Sequence, residues 1–216
     1  MYEVREKRLF NIVFLGDSFT NRTGVKNSVV PQKMFSTSYT GNYTEFVSKR
    51  LFVHYKDIDF RFYNKGISGD SVYDVLKRFD KDFEDIFPDL VILLIGHNDA
   101  KKEGADVFAE GYSAVVNKIS KCCNKVIGIS IIPMKDHPEM NSKIVEFNEI
   151  VKHVLMEHGY EYLNIYDSFL DAMQNSEKDF FLFEETRHLS ELGNILIADN
   201  VYESIIRILG LKIQED

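Results

Sequence analysis

The sequence predicts an α/β protein, a parallel sheet covered by helices on both faces. Compact apolar runs alternate along the chain with longer stretches of helical periodicity. One run, Leu90-Val91-Ile92-Leu93-Leu94-Ile95, carries no polar residue at alternate positions, as a central strand buried on both faces requires. With 216 residues, 44% of them hydrophobic, the chain can bury one sizeable core and is too short for two ordinary enzyme domains. It has no internal repeat and no low-complexity tract, so residues 1–216 read as a single domain.

Strands are predicted over Leu9 to Leu15, Phe60 to Asn64, Leu90 to Ile95, Lys125 to Ile131 and Glu161 to Ile165. Helices are expected between them near Tyr43 to Tyr55, Ser71 to Phe83, Asp106 to Lys121 and Met140 to His158, with a closing helix from Ser190 to Leu209. Capping residues mark several starts: Ser71 follows Asp70, and Asp167-Ser168 is expected to open a short helix after the fifth strand. Connections are short except over residues 19–41, which hold Gly24, Pro31, Gly41 and many hydroxyl side chains. A loop of that length in a compact domain is usually functional or mobile.

Charge excludes one class of partner. The chain has 26 Lys and Arg against 34 Asp and Glu, a net of -8, and no stretch is basic enough to grip a phosphate backbone, so nucleic acid is not an expected partner. The N-terminal segment mixes charges of both signs before a short apolar run, unlike a secretory signal. No apolar run approaches the ~20 residues of a membrane span. Cys122 and Cys123 are adjacent, where a disulfide is strained, and no ligand set surrounds them. These features point to a cytoplasmic protein without structural disulfides; oligomeric state is not readable.

In open parallel sheets, ligands bind beyond the carboxyl ends of the strands. Past the first strand stand Gly16-Asp17-Ser18-Phe19, past the second Asn64-Lys65-Gly66-Ile67-Ser68-Gly69-Asp70, and past the third Gly96-His97-Asn98-Asp99. Glu185-Thr186-Arg187-His188-Leu189-Ser190 precedes the last helix. Singly, these read as turns, caps and loop residues. Together they supply what acyl transfer needs: a hydroxyl nucleophile, a base and donors aimed at an oxyanion. Ser18 would present its Oγ at the tip of a strand. His188 would take and return the proton, and the N–H groups of Ser18 and Gly66 with the Asn98 amide would surround the developing charge.

These blocks, Gly16-Asp17-Ser18-Phe19, Gly66 within Asn64-x-Gly66-x-Ser68-Gly69, Gly96-x-Asn98-Asp99 and the late His188, resemble in order and spacing the four blocks of the SGNH-hydrolase superfamily, the GDSL-type esterases. The resemblance spans residues 16–188. It implies a flavodoxin-like three-layer α/β/α sandwich with a five-stranded parallel sheet, and a serine hydrolase without cofactor or metal. It implies Ser18 as nucleophile and oxyanion donor, Gly66 and Asn98 as the other donors, and His188 as general base. That family usually places an Asp three residues before the histidine; here Glu185 stands there, with Glu184 beside it, so Glu185 is the expected third member. Such enzymes cleave carboxylic esters of lipids, sugars and small alcohols, and some cleave thioesters.

Other polar residues invite weighing. Asp17 and Asp99 are expected to bond loop backbone, and His97 to serve a positioning or structural role. His153 and His158 are five apart and share no metal-binding face; His54 and His137 have no neighbouring ligand set. The aromatic residues of Asp179-Phe180-Phe181-Leu182-Phe183 are expected to pack in the core or line an acyl wall. Thr40-Gly41-Asn42-Tyr43-Thr44-Glu45 resembles the phosphate loop of a flavodoxin but stands too far from the first strand. The reading is a serine esterase for a small-molecule ester, with a short acyl group, such as acetyl, on a carbohydrate or other polar alcohol. Lysophospholipid or thioester cleavage and acyl transfer are the alternatives; a flavin carrier or a lapsed, purely binding hydrolase fold is more distant.

Overall fold

The computed structural model describes residues 8–21, 29–30, 41–174, 182–183 and 188–212. Its strands are β1 (Arg8–Gly16), β2 (Val29–Val30), β3 (Ile58–Gly66), β4 (Leu90–Leu94), β5 (Val126–Ile129) and β6 (Glu161–Leu163). Its helices are α1 (Tyr43–His54), α2 (Val72–Asp82), α3 (His97–Lys102), α4 (Ala105–Ser120), α5 (Pro138–Glu157), α6 (Ile165–Met173) and α7 (Glu191–Leu209). The sheet order is β2-β3-β1-β4-β5-β6. The five strands from β3 to β6 in that order run parallel, and β2 adds a two-residue antiparallel edge to β3.

Side-chain alternation along β1 divides the core into two layers. Ile12 and Phe14 pack with Val47 and Leu51 of α1, Phe169 of α6 and Ile197 and Val201 of α7. Val13 and Leu15 face the other way, onto Val75 of α2, Val115 of α4 and Phe147 of α5. The result is the three-layer α/β/α sandwich expected. β4 is buried at every position, which explains its unbroken apolar sequence.

Four local readings need correction. The helix after β6 starts at Ile165, capped by Asn164, whose side chain accepts the Asp167 N–H; Asp167-Ser168 lies inside its first turn. The segment His97–Lys102, read as loop, is a short helix. Val29–Val30, inside the expected long loop, pairs with β3. α5 starts at Pro138, where a missing N–H costs nothing because first-turn amides have no intrahelical partner. Ser71 does cap α2, in a capping box with Asp74. Cys122 and Cys123 are both free thiols.

Candidate active site

Strand register builds the rim. Gly16 pairs with Gly66 on one side and with Leu94 on the other, so β1, β3 and β4 end abreast. The residues that follow, Ser18, Ser68-Gly69-Asp70 and His97-Asn98-Asp99, therefore emerge at one edge of the sheet. The Ile67 N–H donates to Gly16 O at 3.1 Å, which binds the two loops at their roots.

Ser18 occupies a tight turn. Asp17 O accepts the N–H groups of Thr20 and Asn21 at 3.2 and 2.8 Å, and Asp17 Oδ1 accepts the Phe19 N–H at 3.0 Å. The Ser18 side chain is half-buried and has no hydrogen-bond partner among the described residues. Asp17 itself is buried, and burial pushes its carboxyl up to about 7. Asp99, also buried, accepts the Val72 N–H at 3.0 Å and so anchors the start of α2; burial raises its carboxyl to about 6. Asp17 thus bonds loop backbone as expected, whereas Asp99 bonds the first amide of α2 instead. His97 packs its ring against Phe19, centroids 4.8 Å apart, directly behind the Ser18 turn.

The two glycines of the β3–α2 connection differ. Gly66 is buried, and a Cβ there would meet Asn21 N at 2.3 Å and Thr20 C at 2.5 Å; only glycine lets β3 approach the Ser18 turn so closely. Its N–H donates to Asn64 Oδ1 at 3.0 Å. Gly69 is exposed, with φ at +89°, a backbone conformation that side-chain-bearing residues rarely adopt. Its N–H has no hydrogen-bond partner among the described residues. Asn98, in the first turn of α3, spends one amide hydrogen on Asp70 O at 3.0 Å; a carboxamide has a second to give.

Arg78 braces this half of the rim from below. Its guanidinium, 14% exposed, donates to Asp70 Oδ2 at 2.7 Å, to Gly16 O at 3.2 Å and to Asp82. The planar fork thus joins the end of β1, the Gly69-Asp70 turn and α2.

His188 is exposed and stands just before Ser190, which caps α7. The segment is held by Ser190 N–H to Leu182 O at 3.0 Å and by a bridge between Phe183 and Leu189. Leu182 and Phe183 are core residues. Glu184, Glu185, Phe180 and Phe181 lie outside the described residues, as does most of the segment 19–41.

A polar network that the sequence did not disclose joins the Ser18 turn to α1 and α7. Asn42 Nδ2 donates to Thr20 O and Asn21 O at 2.9 and 3.1 Å, and Asn64 Nδ2 to Thr20 O at 2.7 Å. The hydroxyls of Thr20 and Tyr43 lie 3.0 Å apart, and the Tyr43 N–H donates to Asn194 Oδ1 at 3.0 Å. The loop that resembled a flavodoxin phosphate site thus spends Asn42 and Tyr43 on the Ser18 turn. Among the described residues, no group of three or more His, Cys, Asp or Glu is placed to hold a metal.

The sequence from residue 14 to residue 194 matches the model of the GDSL-like Lipase/Acylhydrolase family. The chain belongs to that family, and so to the carboxylic ester hydrolases. No curated protein matches the sequence. Among solved structures, it is similar to the acetylxylan esterase Axe2 from Geobacillus stearothermophilus, with TM-score 0.82 and 20% identity over 97% of this chain and 98% of that one. A variant described as an acetyl-xylooligosaccharide esterase from the same organism superposes with TM-score 0.81 at 20% identity, over 97% and 98% of the two chains. LAE5, an alpha/beta hydrolase from the metagenome of Lake Arreo, Spain, follows with TM-score 0.78 and 18% identity over 94% and 96%. At such identities the likeness speaks for the fold. No helix among the described residues is long and apolar enough to cross a membrane.

Proposed function

We propose that this esterase works through an acyl-Ser18 intermediate and removes a short acyl group, such as acetyl, from a carbohydrate or similar polar alcohol. The observation that carries the reading is the common ending of β1, β3 and β4, which sets Ser18, Gly69 and Asn98 along one rim. His188 takes the Ser18 proton as Oγ attacks the ester carbonyl, then gives it to the departing alcohol. A water, deprotonated by the same imidazole, releases the acid. Glu185, the carboxylate three residues earlier in sequence, orients the imidazole.

The donors we assign to the oxyanion are the Ser18 N–H, the second amide hydrogen of Asn98 and the Gly69 N–H. Gly69 takes the place expected of Gly66, because the Gly66 N–H already serves Asn64 while Gly69 is exposed and its N–H has no partner among the described residues. Each such donor is worth about 3 kcal/mol to the transition state.

The described rim is polar: Asn21 Nδ2 donates to Ser68 Oγ at 2.9 Å, a bond open to solvent beside the Ser18 turn. Such walls suit a hydroxyl-bearing alcohol better than an acyl chain. The names of the structurally similar esterases lend the same direction to the alcohol half. A panel of p-nitrophenyl esters from acetyl to long chain, run with acetylated xylo-oligosaccharides, tests the proposal. Acetyl esters turned over fastest, with acetate released from the oligosaccharide, support it. A long-chain preference moves the substrate to lipids. In the same assay, Glu185→Gln is expected to lower the rate less than His188→Ala; equal losses would make the carboxylate indispensable.

A further inference from the structure

We infer that Asn194 is a positioning residue, which sets the His188 segment against the Ser18 turn through hydrogen bonds that run across α1. The inference rests on the proposed acyl-Ser18 chemistry and adds to it a residue that touches neither substrate nor reacting atoms.

Strand register cannot align Ser18 with His188, because His188 follows no strand of the sheet. Among the described residues, the link between the Ser18 turn and the start of α7 runs through α1, and Asn194 sits where α7 meets α1. Its Nδ2 donates back to Ser190 O at 2.9 Å and lies 3.4 Å from Leu189 O, which ties down the backbone immediately after His188. Its Oδ1 accepts the Tyr43 N–H at 3.0 Å. That N–H belongs to the first turn of α1, where no carbonyl of the same helix can reach it, so an α7 side chain supplies the partner that α1 lacks. From Tyr43 the chain continues through its hydroxyl to Thr20 Oγ1 at 3.0 Å, and both residues are fully buried. Thr20 lies in the turn that presents Ser18, and its N–H is bound to Asp17 O. The Asn194 carboxamide thus holds the start of α7 to the first turn of α1, and the Tyr43 hydroxyl holds the Ser18 turn to the same residue.

A residue that merely stabilised the fold would lower the unfolding temperature and leave the folded enzyme's chemistry alone. A positioning residue changes the reaction of the folded protein, because a displacement near 1 Å between nucleophile and base can cost on the order of 100-fold in rate. The test measures the rate constant for fluorophosphonate labelling of Ser18, with kcat and KM on p-nitrophenyl acetate, well below the unfolding transition. It compares the wild type, Asn194→Ala, Tyr43→Phe and the double variant. Asn194→Ala is expected to lower labelling and kcat by about 10- to 100-fold with KM near its wild-type value. Tyr43→Phe, which keeps the ring and loses only the hydroxyl, is expected to lower both by a smaller factor and to add little in the Asn194→Ala background, as for members of one network. Wild-type labelling by a folded Asn194→Ala variant, or losses that multiply independently, would overturn the inference. If Asn194→Ala does not fold, Tyr43→Phe decides alone, and a wild-type rate overturns it. A wild type that leaves Ser18 unlabelled refutes the acyl-Ser18 reading itself, a result distinct from the others.

Discussion

Asp17 stands immediately before the proposed nucleophile, 1% exposed, with Oδ1 bound to the Phe19 N–H and Oδ2 without a hydrogen-bond partner among the described residues. Burial raises its carboxyl from 3.8 to about 7. An acid raised in this way favours the fold while protonated: as pH climbs from the unfolded value through the folded one, the unfolded chain ionises first and stability falls. The substitution Asp17→Asn keeps an acceptor for the Phe19 N–H and removes the titration. It should therefore raise Tm relative to wild type by more at about pH 8 than at about pH 5; a difference that does not change with pH would contradict the assignment. Ser18 and Asn98 were legible as motif residues because they follow strand ends in the parallel sheet, and His188 as a histidine just before the last helix. Gly69 was legible only as a turn glycine, since nothing in the sequence shows that Asn64 binds the Gly66 amide. Asn194 was not legible, because its partner Tyr43 is 151 positions away.

Elements were legible where local pattern and tertiary demand agree. The Leu90–Leu94 strand needs no polar face, and Ser71 as a capping residue announces α2. They were missed where tertiary contacts decide. Val29–Val30 becomes a strand only by pairing with Phe62 and Tyr63, and α3 begins at His97, after the N-cap Gly96, in a mostly polar run without helical periodicity. The prediction that belongs to this scale concerns α2. Arg78 neutralises Asp70 and Asp82, whose side chains are 13% and 5% exposed, while holding Gly16 O. Arg78→Met would leave two largely buried carboxylates without their cation. It should destabilise the protein by about 3 kcal/mol, measured by urea unfolding at neutral pH, with the loss shrinking in acid as Asp70, whose carboxyl is raised by burial, protonates. An effect below about 1 kcal/mol, the range of a surface pair, would contradict it.

At the scale of the whole molecule, the proposed site exists only when the sheet is assembled. Ser18 comes from the turn after β1, Gly69 from the loop after β3, Asn98 from the first turn of α3, and His188 from the entry to α7. No two of them share an element, and a seryl hydroxyl without a positioned base is a weak nucleophile. The measurement that bears most directly on this account is fluorophosphonate labelling of the native and the urea-unfolded chain, with the modified residue located by mass spectrometry and Ser18→Ala as control. The account predicts a single label on Ser18 in the native protein, none after unfolding, and none in Ser18→Ala, which should retain a wild-type unfolding transition. A label on another residue, or native protein that hydrolyses esters with Ser18 unmodified, would contradict it.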